Sequence, residues 1–199
     1  MATPGDQYRP APQDDDHDEH DRLYEEALAL IEPHLPMNQP QDAELLDEHR
    51  AQLQRGVEML RRVIAINPQN WPAMWVSGMA LRRLSELAPA MQMFTSACQL
   101  SGDNPDVPRE AAITAMELGH YADAVMYTEQ AIDNNPADAG LVANLALAHL
   151  LNQNPTEARR AAAYAVEADP ADEISRQILA MIEDVVSGKR PNPRHPREF

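Results

Sequence analysis

The side chains suited to chemistry in this chain are few, and their spacing does not equip them for it. His17 and His20 sit within the run Asp14-Asp-Asp-His-Asp-Glu-His-Asp21, a donor set that a divalent metal accepts. Unshielded ligands in a flexible segment make a poor site, and a solvated acidic tail is the simpler reading. His120 and His149 fall inside regular repeats, where they fill structural places. Cys98 is the only cysteine, follows Ala97 in an apolar helix and has no basic neighbour, so an inert buried thiol is expected. Ser77 in Val-Ser-Gly lacks the strand-turn-helix setting of a nucleophile elbow. The seven glycines are scattered and form no phosphate-cradling loop. Nothing here activates a nucleophile or a water, and the expectation is a non-enzymatic chain with no cofactor and no metal.

Charge narrows the partners. The net charge is −16, with 32 acidic against 16 basic residues among 199. Residues 1–50 hold 14 Asp/Glu and 3 Arg, hence −11, while 188–199 hold 4 Lys/Arg and 1 Glu, hence +3. Phosphates are repelled over most of such a surface, which excludes nucleic acid and anionic membrane as main partners. The start, Met1-Ala-Thr-Pro-Gly-Asp, is neither basic nor apolar, so no secretory signal is read there. The most apolar stretch, Leu141–Leu151, is too short to span a bilayer. With one cysteine and no internal disulfide, a cytoplasmic setting without membrane insertion is expected.

Positioning comes from a 34-residue repeat. Ala90, Ala124 and Ala158 recur at that step, as do Ala97, Ala131 and Ala165, and Gly78, Ala112 and Ala146. Small residues at fixed phase inside amphipathic segments mean stacked helix pairs, because two helix axes approach closely only where Gly or Ala faces the partner. The pattern predicts helices over 22–32, 42–66, 71–84, 87–101, 106–118, 121–134, 138–151, 155–168 and 171–186. Asn67-Pro68, Gly119 and the N-cap pair Asn154-Pro155 punctuate them. In the last helix Ile174, Ile178, Ile182 and Val185 form one apolar stripe that covers the open end of the stack. The expected division is a disordered acidic tail over 1–20, a solenoid over 21–187 and a flexible basic tail over 188–199. Within the solenoid lie a degenerate repeat (37–70), full repeats (71–104, 105–138, 139–172) and a capping helix (171–187).

These residues resemble the tetratricopeptide repeat. The first unit shows Met74-x2-Ser77-Gly78-x2-Leu81 and then Ala90-x3-Phe94-x2-Ala97; the second has Gly119-His-Tyr121, Ala124-x3-Thr128-x2-Ala131 and Pro136; the third has Ala158-x3-Ala162-x2-Ala165 and Pro170. Gly56, Leu60 and Val63 hold the small, large and small places of the degenerate unit. Thr128 and Ala162 depart from the large residue of the pattern, which implies thinner packing there. The resemblance implies an all-α, right-handed helical-hairpin solenoid whose first helices line a concave groove. Carried onto this chain, the groove is Trp75, Met79 and Arg82, then Arg109, Ile113 and Met116, then Asn144, Leu147 and Leu150. Asn144 occupies the place where relatives hydrogen-bond a peptide backbone. The carboxylate-gripping Lys/Asn set of chaperone-binding relatives is not matched, since Trp75, Met79 and Glu110 stand there.

The function expected is a protein-protein interaction module that holds a polypeptide segment in this groove. Arg82, Arg83 and Arg109 form a basic cluster able to receive acidic side chains of a partner or the chain's own Asp14–Asp21 run; the alternative is helix charges paired with Glu86 and Glu110. Two other readings share the scaffold. One is a type III secretion translocator-type chaperone, suggested by acidity and three repeats. The other is a structural or assembly subunit that uses the convex face or forms a homodimer through the 42–66 helix.

Overall fold

The computed structural model describes residues 14–35 and 45–198; the rest of the expected acidic tail, residues 36–44 and Phe199 lie outside the described residues. Every regular element among those described is helical. In order they are α1 (Asp14–Ile31), a 310 turn (Glu32–His34), α2 (Asp47–Ile66), α3 (Trp71–Arg83), α4 (Leu87–Cys98), α5 (Asp106–Leu118), α6 (Tyr121–Asn134), α7 (Ala139–Leu151), α8 (Pro155–Ala168), α9 (Glu173–Val186) and a 310 turn (Pro196–Glu198). Each helix packs on the next, and the odd-numbered helices also touch one another from α1 through α9, forming an inner row. The architecture is a solenoid of antiparallel hairpins.

The small-residue series sit at the contacts. Ala90, Ala124 and Ala158 are 0% exposed, and so are Ala97, Ala131 and Ala165. The same phase extends one step back to Gly56 and Val63, both buried on α2. A Cβ on Gly56 would lie 2.5 Å from Ile31 Cγ1 and 3.3 Å from the Ala27 carbonyl oxygen, so the α1 and α2 backbones meet there. The degenerate unit is therefore a full hairpin. Its first helix is α1, which precedes residues 37–70 and is set apart from α2 by residues 32–46.

The large place shrinks from Phe94 to Thr128 to Ala162, all buried, while the small place of the preceding helix runs Gly78, Ala112, Ala146, also buried. The Phe94 ring needs its glycine: a Cβ on Gly78 would sit 2.7 Å from Phe94 Cε1. Thr128 satisfies its buried hydroxyl by donating to the Ala124 carbonyl at 2.7 Å.

A second periodic series governs the helix starts. Asn70, Asn104, Asp138 and Asp172 stand 34 residues apart ahead of α3, α5, α7 and α9. Their side-chain oxygens accept from Ala73 N at 2.9 Å, Asp106 N at 2.8 Å, Gly140 N at 2.9 Å and Ile174 N at 3.1 Å. These bonds satisfy amides that the helix cannot pair internally. Asn154, expected as a cap of α8, makes no side-chain cap bond. The hairpin turns are periodic too. Ser85 (φ 65), Gly119 (φ 77) and Gln153 (φ 60) are equivalent positions in the left-handed region that closes a helix.

Three expectations shift. α1 begins at Asp14, not Arg22, because its first turns have partners: Glu19 accepts from Arg62, and the His20 ring lies 3.0 Å from the Asn70 amide. The Asp14–Asp21 run thus belongs to α1. α2 begins at Asp47, with Leu46 still extended (ψ 148). The segment after α9, expected to be a flexible tail, lies against the hairpin turns, with Pro193 buried.

His149 on α7 has a buried, unpartnered Nδ1. Burial lowers its pKa below the ordinary histidine value, outweighing Glu129 on α6 and Glu157 on α8, which act in the opposite sense. The unfolded chain therefore takes up this proton more readily. The stability it guards is complete above about pH 6.5 and declines as pH falls below that. His149→Gln is expected to lessen the drop in urea midpoint between pH 7.5 and 5.5. In a separate denaturation series Ala124→Leu is expected to cost about 1–3 kcal/mol by overpacking, while Ala122→Leu, on the exposed face of the same helix, should stay within about 0.5 kcal/mol.

Candidate functional site

The inner row of helices opens a cleft of about 1020 Å³ between α5, α7 and α9. Its floor is apolar, built from Ala143, Leu147 and Ile178, with Ile174 at the lip. Ile174 is 66% exposed, the most open large apolar side chain among the described residues. The expected stripe on α9 therefore divides. Ile182 is 0% and Ile178 9% exposed, whereas Ile174 overhangs the cleft. Asn144 stands half-buried on the same wall, its amide without a hydrogen-bond partner among the described residues.

The rim is acidic. Asp138, Asp169 and Asp172 border the opening together with Arg109. Arg109 is already engaged, with Asp106 at 2.9 Å and Asp138 at 2.8 Å. Asp138 thus both caps α7 and holds the α5 arginine. Asp172 accepts from the Ser175 hydroxyl at 2.6 Å, and this bond first, with those from the Ser175 and Ile174 amides, holds its carboxyl below the usual range. It stays charged at neutral pH.

The nine groove residues expected from sequence separate by environment. Arg109, Asn144 and Leu147 come together in the cleft. Leu150 is 0% and Met116 7% exposed, both packed in the core, so neither presents a side chain to a ligand. Ile113 packs partly buried beside Met116. Trp75 and Met79 are half-buried against the α1–α4 core, and Trp75 tilts on Trp71 with ring centroids 6.5 Å apart. Arg82 is paired with Glu110 across α3 and α5, both largely buried, and Arg83 is likewise engaged. Carboxylates therefore neutralise Arg82 and Arg109, and the acidic rim sets the electrostatic character of the cleft. Sequence reading missed Ile174, Ile178, Asp138 and Asp172 as site residues; the Asn/Asp series before each odd helix was the available signal.

Other reactive groups stay quiet. Burial pushes the Cys98 thiol up to about 12, which leaves it protonated at neutral pH. His20 Nδ1 donates to the Asp21 carboxylate at 2.7 Å, and among the described residues no three His, Cys, Asp or Glu side chains cluster as metal ligands. None of the described helices is long and apolar enough to cross a membrane.

Residues 109–173, which supply most of the cleft but not Ile174 or Ile178, match the family model of the tetratricopeptide repeat. Over that third of the chain the match is to tetratricopeptide repeats. Solved structures extend the likeness in fold to most of the chain. MamA from Desulfovibrio magneticus RS-1 superposes with a TM-score of 0.69 at 16% identity, with 86% of each chain covered. YrrB, described as having an unusual peptide-binding site, gives 0.62 at 15% identity over 89% of this chain and 86% of its own. The first such domain of Spaghetti (RPAP3), bound to the HSP90 peptide SRMEEVD, gives 0.55 at 18% identity over 60% of this chain and 94% of its own. At these identities the likeness establishes the fold. No curated protein matches the sequence.

The double duty of Asp138 sets an expectation. Asp138→Ala removes the α7 cap and one partner of Arg109, and should lower stability by about 1 kcal/mol in urea denaturation. Asp138→Asn, which keeps the cap oxygen, should recover most of it.

Proposed function

We propose that the chain is a non-enzymatic interaction module whose α5–α7–α9 cleft holds a segment of a partner polypeptide. The observation that carries this reading is the make-up of the cleft: an exposed apolar anchor, Ile174, beside an open carboxamide, Asn144, on a rigid row of helices. An apolar side chain of the partner would displace water from Leu147, Ile174 and Ile178, and Asn144 would pair with its main chain. Solved relatives of this fold that hold peptides support the class of activity.

Electrostatics favour one kind of segment. With Arg109 neutralised and three aspartates around the opening, an incoming Lys or Arg flanking an apolar residue meets a favourable field and an acidic segment does not. The chain would then differ in charge preference from a receptor for acidic tails.

A peptide panel matched in apolar content but varied in charge tests this. Basic-apolar peptides should bind and acidic ones should not, and raising the salt should weaken binding. Ile174→Asp should weaken capture about tenfold or more, as for a central anchor, with unchanged circular dichroism because the side chain is exposed. Asn144→Ala should weaken it less. Equal binding of acidic peptides, or full binding by folded Ile174→Asp, would remove the cleft as the seat.

A further inference from the structure

The three hairpin turns form a line along one edge of the solenoid, away from the cleft. Ser85, Gly119 and Gln153 share one position in successive repeats and one left-handed conformation, so the side chains beside them recur in register. The residues after α9 run along this line against the order of the repeats. At the third turn Gln153 Nε2 donates to the Pro193 carbonyl at 3.2 Å, and Gln153 Oε1 accepts from Asn192 Nδ2 at 2.9 Å. At the second turn the Tyr121 hydroxyl donates to the Arg194 carbonyl. At the first, His195, Pro196 and Arg197 border a cleft of about 730 Å³ with Ser85 and Glu117.

The chemistry of these contacts is directional. The edge offers side-chain donors, and they reach two consecutive main-chain carbonyls, of Pro193 and Arg194. A segment read through its carbonyls gains from proline, which has no N–H to leave unsatisfied and enters with φ already fixed. The resident sequence, Arg190-Pro-Asn-Pro-Arg-His-Pro-Arg197, has that composition, and Pro193 is buried against the turns. Its basic residues also suit a strongly acidic molecule.

We propose that this turn edge is a second polypeptide-binding track, built for a proline- and arginine-bearing segment and occupied in this molecule by residues 192–197 of the chain itself. Tethering through Ser187-Gly188 gives the resident segment an effective concentration of about millimolar. A free segment at micromolar concentration is then excluded until the tail lets go. The track is independent of the α5–α7–α9 cleft, so both can be filled together.

The test uses the full-length chain and nuclear magnetic resonance. In the wild type, the amides of Asn192, Arg194, His195 and Arg197 should show heteronuclear NOE values like those of the helices. In the Tyr121→Phe, Gln153→Ala double variant they should fall to values typical of a free terminus; tail amides already at such values in the wild type would overturn the proposal. A full-length chain carrying Asn192→Ala and Pro193→Asp releases the tail and leaves the track intact. A synthetic peptide of residues 189–198 should bind it saturably, shifting the resonances of Ser85, Gly119 and Gln153, and should not shift them in the wild type at the same concentration. Adding Tyr121→Phe should weaken that binding about fivefold, the worth of one hydrogen bond. Absence of turn shifts at millimolar peptide, or equal affinity with Tyr121→Phe and Gln153→Ala in place, would refute it. Cleft binding by a basic-apolar peptide should be unaffected in every variant.

Discussion

Close approach of helices at small residues is the constraint on which the remaining structure rests. Gly56, Ala90, Ala124 and Ala158 let one wall of each hairpin meet the other, and Val63, Ala97, Ala131 and Ala165 repeat the contact two turns on. Because the same side chain returns every 34 residues, each hairpin stacks on the last in the same way. Stability in such an array is a sum of neighbour terms, so each interface must be good by itself. Phe94 lies against Gly78, and the same place is filled by a buried Thr128 in the next repeat, so burial is kept while residue identity drifts.

Identical stacking has two consequences for what the molecule can hold. It aligns the odd-numbered helices into a row, whose last members frame an apolar cleft with an acidic rim. It also aligns the left-handed turns, so that Tyr121 and Gln153 face the same strand of polypeptide. The residues that shape these faces are folding residues as well. Asp138 and Asp172 start α7 and α9 and at the same time set the field at the mouth of the cleft. Arg82 and Arg109 tie successive repeats together and give up their charge in doing so. Electrostatic character here follows from the register of the stack.

Most of the fold was legible in the sequence because its signals are local. Proline, glycine and asparagine mark the helix ends, and α5, α6 and α8 begin and end at the residues the punctuation implies. What escaped local reading depends on distant partners. The start of α1 is held by Arg62 and Asn70, more than forty positions away. The tail is held by Tyr121 and Gln153, and composition alone made it a free end. Arg82 and Arg109 are paired because Glu110 and Asp138 arrive from neighbouring repeats. Among the expected groove residues, Arg109, Asn144 and Leu147 line the cleft because they face the inner row. Met116 and Leu150 lie one turn further along, where the hairpins close and side chains turn into the core.

Photo-cross-linking reads the seat of the partner most directly. A benzoylphenylalanine placed at position 174, on the lip of the cleft, or at position 126, where Met126 is exposed on the outer helix α6, would be irradiated with a basic-apolar peptide bound. If the cleft holds the partner, the adduct forms from position 174 and not from 126. An adduct from 126 with none from 174 would place the partner on the convex side and contradict the concave cleft as the binding surface.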